Sequence, residues 1–231
     1  MLSADGSIAK TASSFSKDGK YYAYGLSAGG SDWVTIYVRE TSSPHTSDLP
    51  VGEDKGRLQK DVLRNVKFSS IAWTADSKAF LYQTFPQPDV GEDDKGKENS
   101  VNQDAKVYLH RVGTVQEEDV LVYEDKSEPS WLYGAECTED GNFVVLSIVR
   151  DTSRKNLVYI ADLRKASLDS EKLEWRKVFS DWNSGWSFLT NEENLFYFIS
   201  NDNAPRQKIS VVDLSQDGEI VSFSAWRKLQ R

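Results

Sequence analysis

Gly25-Leu26-Ser27-Ala28-Gly29 matches, letter for letter, the G-x-S-x-G pattern in which a serine on a strained strand-to-helix turn attacks acyl carbonyls. That chemistry also needs a histidine to accept the hydroxyl proton and donors to hold the oxyanion. The residues after Gly29, GSDWVTIYV, alternate as a strand instead of opening a helix, so the stretch reads as a hairpin loop. Of the two histidines, His45 lies in a Pro- and Ser-rich segment, and His110 alternates on VYLHRV, where a partly buried ring is expected. Neither stands in an H-x-H, H-E-x-x-H or paired-cysteine setting, so no zinc site is expected. Cys137, in GAECTEDG, reads as a small buried residue at the inner end of a strand. The acidic groups Glu92-Asp93-Asp94 and Glu117-Glu118-Asp119 fall in or beside loops and are assigned to the solvated surface rather than to paired-carboxylate hydrolysis. Trp182 and Trp186, in SDWNSGWSF, could stack on a sugar or a cation but are read as packing residues. The residues taken alone thus supply no catalytic group, no metal ligand set and no cofactor site.

Composition narrows the partners. A net charge of −8 offers no basic surface to a phosphate backbone or an anionic lipid, so neither nucleic acid nor membrane is expected. The first 20 residues lack the apolar core of a secretory signal, and no apolar run reaches membrane-spanning length, roughly 20 residues. With one cysteine there is no internal disulfide. Together these point to the cytoplasm.

The elements that must position any site are strands. Lys17-Asp18-Gly19-Lys20 precedes the apolar run at Tyr21, and Glu139-Asp140-Gly141-Asn142 precedes the one at Phe143; Ala75-Asp76-Ser77-Lys78 and Asn191-Glu192-Glu193-Asn194 are weaker versions. A D-G pair between apolar runs is a hairpin signal because glycine accepts positive φ. Each turn belongs to a longer unit that ends in a second strand: SFSKDGKYYAYG leads to WVTIYVRE, IAWTADSKAFLY to KVYLHRVG, AECTEDGNFVVLSI to LVYIADL, and FLTNEENLFYFIS to KISVVDL. Units of several strands recurring at roughly 50–65 residues are the mark of propeller blades rather than of helical solenoids. Helical periodicity is nearly absent, so the chain is expected to be all-β. Segments 41–61 and 86–105, rich in Pro, Gly, Ser and acidic residues, are expected to be long surface loops.

The runs SFSKDGKYYAYGLSAGGSDWVTIYVRE, VKFSSIAWTADSKAFLYQTFPQ, EPSWLYGAECTEDGNFVVLSI and FLTNEENLFYFIS closely resemble, in order and spacing, the propeller of prolyl oligopeptidases, from about Leu2 to about Leu229. The segments TSSPHTSDLPVGEDKGRLQ and IVRDTSRKNL look like those of fungal members, some of which also macrocyclise peptides, an activity that a propeller segment does not assign. The resemblance implies a peptidase in which an α/β-hydrolase domain carries the Ser, Asp and His and a seven-bladed propeller covers it, excluding folded substrates. Residues 1–231 would then be a partial propeller of about four blades, beginning after the first and stopping near the fifth, with no complete α/β-hydrolase domain. No triad residue, oxyanion donor or proline pocket carries over.

Four propeller positions do. Phe68, in VKFS, matches a phenylalanine of the family's central substrate cavity, and Asp32, in GSDW, matches an acid that pairs with a substrate-binding arginine of the hydrolase domain. Arg150 matches a cavity arginine one residue late, and Thr152 stands where the family often has a reactive cysteine. The implied partners are the parent's hydrolase domain and short proline-containing peptides, the implied role is substrate gating, and no cofactor is implied. The rival reading is a stand-alone partial propeller acting as an interaction module.

Overall fold

The computed structural model describes residues 5–44, 54–87, 102–170 and 173–215. The described residues run through fifteen strands and one 3₁₀ turn, Gln116–Glu118. The strands fall into four consecutive antiparallel units. Blade I holds β1 (Ile8–Phe15), β2 (Tyr21–Ala28), β3 (Val34–Glu40) and β4 (Arg57–Val66), and blade II holds β5 (Ala72–Trp73), β6 (Ala79–Thr84), β7 (Lys106–Arg111) and β8 (Val120–Tyr123). Blade III holds β9 (Leu132–Cys137), β10 (Phe143–Val149), β11 (Leu157–Asp162) and β12 (Trp175–Phe179), and blade IV holds β13 (Trp186–Glu192), β14 (Leu195–Ser200) and β15 (Lys208–Asp213). Within a blade each strand pairs with its sequence neighbour. Blades I and II meet edge to edge at one position, Val66 opposite Thr84.

The hairpins between first and second strands of blades I, II and III share one chemical device. Ser16 Oγ donates to Asp18 Oδ1 (2.7 Å) and accepts from the Tyr21 amide (2.9 Å). Thr74 and Thr138 repeat it with Asp76 and Asp140, accepting from Ala79 and Phe143. A short polar side chain thereby caps a turn that the backbone alone would leave open. The turns at Asp18 and Asp140 place Gly19 and Gly141 at φ +74° and +71°. Where the sequence has no glycine, Ser77 (+62°) and Glu193 (+52°) occupy the same left-handed region, which is why those two hairpins give weaker signals.

Three cores separate the four blades. Between I and II lie Ile36, Val38, Leu63, Trp73 and Phe80; between II and III lie Leu81, Leu109, Tyr133, Leu146 and Tyr159; between III and IV lie Phe143, Ile160, Phe179, Phe196 and Phe198. Trp186 stacks on Phe179 at 3.6 Å, and Trp182 meets Trp131 edge-on. Both tryptophans serve packing, as aromatic area between facing sheets does.

Two expectations are corrected here. Segment 41–61 is not loop throughout: Arg57–Val66 is strand, because Asp61 and Leu63 share its buried phase, so residues 57–61 leave the loop. Of segment 86–105, residues 86–87 and 102–105 are irregular, and 88–101, like 45–53 with His45, lie outside the described residues. In addition, Asp119 is not a surface acid; its side chain is buried against His110.

Among the described residues, none covers the apolar side chains on the outward faces of blades I and IV. Phe15 is 62% exposed beside Tyr22, while Leu189 and Ile209 are 45% and 44% exposed beside Ile199. Apolar sheet faces of this kind associate. The 231-residue polypeptide alone is therefore expected to form oligomers or aggregates at micromolar concentration, and size-exclusion chromatography with light scattering giving a dispersed monomer would count against this.

Candidate functional site: the loop end of the blades

Antiparallel register gives each blade two ends. The pairs Ile8↔Ala28, Val34↔Val66, Thr84↔Lys106, Leu132↔Val149 and Ser200↔Lys208 collect the starts of odd-placed strands and the ends of even-placed strands at one end. The capped hairpins occupy the other. All four residues carried over from the resemblance, Asp32, Phe68, Arg150 and Thr152, sit in connections at the loop end.

Asp32 and Phe68 are brought together. Both border a recess of about 230 Å³ with Gly25, Val34 and Ser69. Phe68 is 54% exposed, and its backbone has φ +51°. A bulky side chain in the left-handed region is strained, and such strain persists only where neighbours impose it.

Arg150 comes directly after the end of β10. Its guanidinium lies 4.4 Å over the Trp182 ring, with Nε 3.7 Å from Asp151 Oδ2. Thr152 is exposed in the same connection. Neither borders the recess of Phe68 and Asp32.

A larger cavity of about 940 Å³ runs along β5, β9 and β13, the first strands of their blades, touching Ser70, Trp73, Glu136, Arg154, Trp186 and Phe188. Phe68, Arg150 and Thr152 flank this cavity rather than line it: Ser70, Val149 and Ser153 beside them contribute the wall.

Among the described residues, the pieces that could suggest chemistry do not assemble. Ser27 lies within β2, 5% exposed, and its hydroxyl donates to the Ser31 carbonyl (2.5 Å), closing the β2–β3 turn. The element that follows β2 is strand β3, not a helix. Cys137 is buried, and burial pushes its thiol up to about 12, so it stays protonated. Among the described residues no group of three or more His, Cys, Asp or Glu side chains is arranged to hold a metal ion.

His110 is in none of these places. Fully buried on β7, it lies between Asp119 Oδ1 at 2.7 Å from Nδ1 and Asp61 Oδ1 at 3.2 Å from Nε2. Both nitrogens face acceptors, which only a doubly protonated ring satisfies. Burial opposes that charge, yet the hydrogen bonds and charges of Asp119 and Asp61 outweigh it and raise the imidazole to about 9. Gly113 N–H also donates to Asp61 (2.8 Å), and the Tyr82 hydroxyl donates to Asp119 Oδ2 (2.7 Å). This network ties β4 of blade I to β7 of blade II. Sequence reasoning missed it; the available signal was an aspartate two residues before Leu63 on the buried phase of a strand.

The fold and this loop end define a partial β-propeller whose described residues carry no assembled nucleophile and base. Residues 1–228 match the prolyl oligopeptidase N-terminal beta-propeller domain, and the chain belongs to that family. It is 44% identical over 220 residues to prolyl oligopeptidase A of Galerina marginata, covering 95% of this chain and 30% of that protein. It is 42% identical over 217 residues to the dual function macrocyclase-peptidase POPB of the same fungus, covering 94% and 29%. In three dimensions it is similar to prolyl oligopeptidase B from Galerina marginata bound to a 35mer hydrolysis and macrocyclization substrate, with a TM-score of 0.84, 40% identity and coverage of 96% and 30%. The chain thus spans about 30% of the length of these relatives.

Proposed function

We propose that this segment is the gating part of a prolyl-oligopeptidase-like serine endopeptidase that cuts short peptides after proline. Its loop end meets the parent's α/β-hydrolase domain, which supplies the catalytic serine, histidine and aspartate, and the compartment is the cytoplasm. The observation that carries the proposal is Phe68: an aromatic ring in a strained backbone, more than half exposed, at a recess shared with Asp32. An exposed aromatic held at an energetic cost is suited to a ligand, since nothing in the domain's own packing needs it there. In this reading Phe68 contacts apolar residues of a peptide distant from the cleaved bond, Asp32 faces the hydrolase domain, and Arg150 and Thr152 border the route of longer peptides.

The test uses the complete parent enzyme. Phe68→Ala is expected to lower kcat/KM for longer peptides by about 1 kcal/mol, the scale of one aromatic contact, while sparing dipeptide-like substrates. Equal losses on both would make the effect one of folding and remove Phe68 from the substrate path.

A further inference from the structure

Phe68 does not hold its own conformation. The segment Asn65–Ser70, from the last two residues of β4 toward β5, carries two residues with positive φ, Asn65 (+58°) and Phe68 (+51°), and hydrogen bonds from the end of β6 pin it. The Phe85 amide and the Thr84 hydroxyl both donate to the Asn65 carbonyl, at 2.9 and 2.7 Å. Beyond them, Ser70 Oγ donates to the Ala135 carbonyl of blade III at 3.4 Å, and the contacts to residues 67–69 include those of Gln83, which is 2% exposed.

The Gln83 side-chain amide donates to the Lys67 carbonyl at 2.9 Å and reaches the Phe68 carbonyl at 3.5 Å. Its backbone N–H donates to Ser69 Oγ at 2.7 Å. On its other side, the Gln83 side-chain oxygen accepts from the backbone N–H of Tyr133, the second residue of β9 in blade III, at 2.5 Å. One residue on β6 thus grips Lys67, Phe68 and Ser69, and is itself fixed by blade III. A buried amide with donor and acceptor both satisfied is rigid, because any rotation would leave a buried polar group unpaired. Asn156 does related work at the next junction, bonding Trp186 N–H and carbonyl, but no exposed strained residue lies beside it.

We infer that Gln83 is a positioning residue for Phe68: through the Lys67 and Phe68 carbonyls it holds the ring outward at the Asp32 recess, and through Tyr133 it couples that ring to the packing of blade III on blade II. The consequence for substrate recognition rests on the reading of Phe68 given above; the positioning itself does not. An altered fit of blade III on blade II would reach the Lys67 and Phe68 carbonyls through this side chain.

Two measurements separate these parts. In the full chain, Gln83→Ala and the near-isosteric Gln83→Met, which cannot donate, should both accelerate chymotryptic cleavage at Phe68–Ser69 several-fold relative to cleavage at Phe15, at a temperature where both variants remain folded by circular dichroism. Unchanged relative cleavage at Phe68 in the folded Met variant would overturn the positioning role. In the complete parent enzyme, Gln83→Met should reproduce the loss on longer peptides seen for Phe68→Ala, spare short substrates, and add nothing in the Phe68→Ala background. Additive losses would show that Gln83 acts otherwise than through Phe68 and would overturn the inference. If Phe68→Ala itself leaves long peptides unaffected, the substrate reading fails while the cleavage experiment still decides the role of Gln83.

Discussion

His110→Ala is expected to destabilise the domain by about 3–5 kcal/mol, the cost of removing one partner from a buried ion pair and leaving the other charged. Here two carboxylates, Asp61 and Asp119, would lose their shared cation, and Asp61 Oδ2 already has no hydrogen-bond partner among the described residues. The pH dependence carries a sign of its own. Since the folded imidazole titrates near 9 against an ordinary value of 6.5, it is protonated in both states below about pH 6.5, where its full contribution is present. Between 6.5 and 9 the unfolded ring loses its proton while the folded ring retains it, so stability falls; above 9 the contribution is gone. The total is on the order of 3 kcal/mol. Tyr82, the other titratable group facing Asp119, has its ionisation pushed far upward by burial and by that carboxylate, so it remains a donor throughout this window. Urea unfolding at pH 6, 7.5 and 9.5 should show the decline, and His110→Gln should abolish its slope between pH 6.5 and 9. A flat profile for the unsubstituted chain, or the same slope in the variant, would contradict the imidazolium bridge.

Burial decided how much of this was legible. In the middle blades, β6 (AFLYQT) and β11 (LVYIAD) are packed on both sides, so they are nearly continuous apolar runs and announce themselves. The outer strands β4, β8 and β12 have one wet face and read as mixed sequence: RLQKD, the first half of β4, falls into the expected loop, and VLVY and WRKVF give no separate signal. The first strand of blade I, IAKTASSF, is largely exposed and carries small polar residues, so it has no alternation to detect. The resemblance supplied Phe68, Asp32, Arg150 and Thr152, but only register and the intervening turns place them at one end of the sheets and pair Phe68 with Asp32 rather than with Arg150. The buried polar residues were least visible. A glutamine at the end of an apolar run, or a histidine alternating on a strand, has the same local pattern whether it faces water or bridges two blades, because its partners lie 9 to 50 residues away.

The most direct test of the central claim is where a serine-directed probe reacts. The expressed chain should cleave no prolyl bond above background and take up no fluorophosphonate. A serine hydroxyl reacts only when a base within about 3 Å accepts its proton and donors stabilise the oxyanion. Ser27 instead gives its hydrogen bond to a backbone carbonyl of the β2–β3 turn, and His110 is held between two aspartates in another blade. The same probe applied to the protein isolated from its source, captured by an antibody against this segment, should label a serine outside residues 1–231 on a polypeptide that cleaves short proline-containing peptides. Labelling of Ser27 that disappears in Ser27→Ala, or an endogenous 26.1 kDa protein that takes up no label and cleaves nothing, would contradict the account; the second result would leave a stand-alone interaction module.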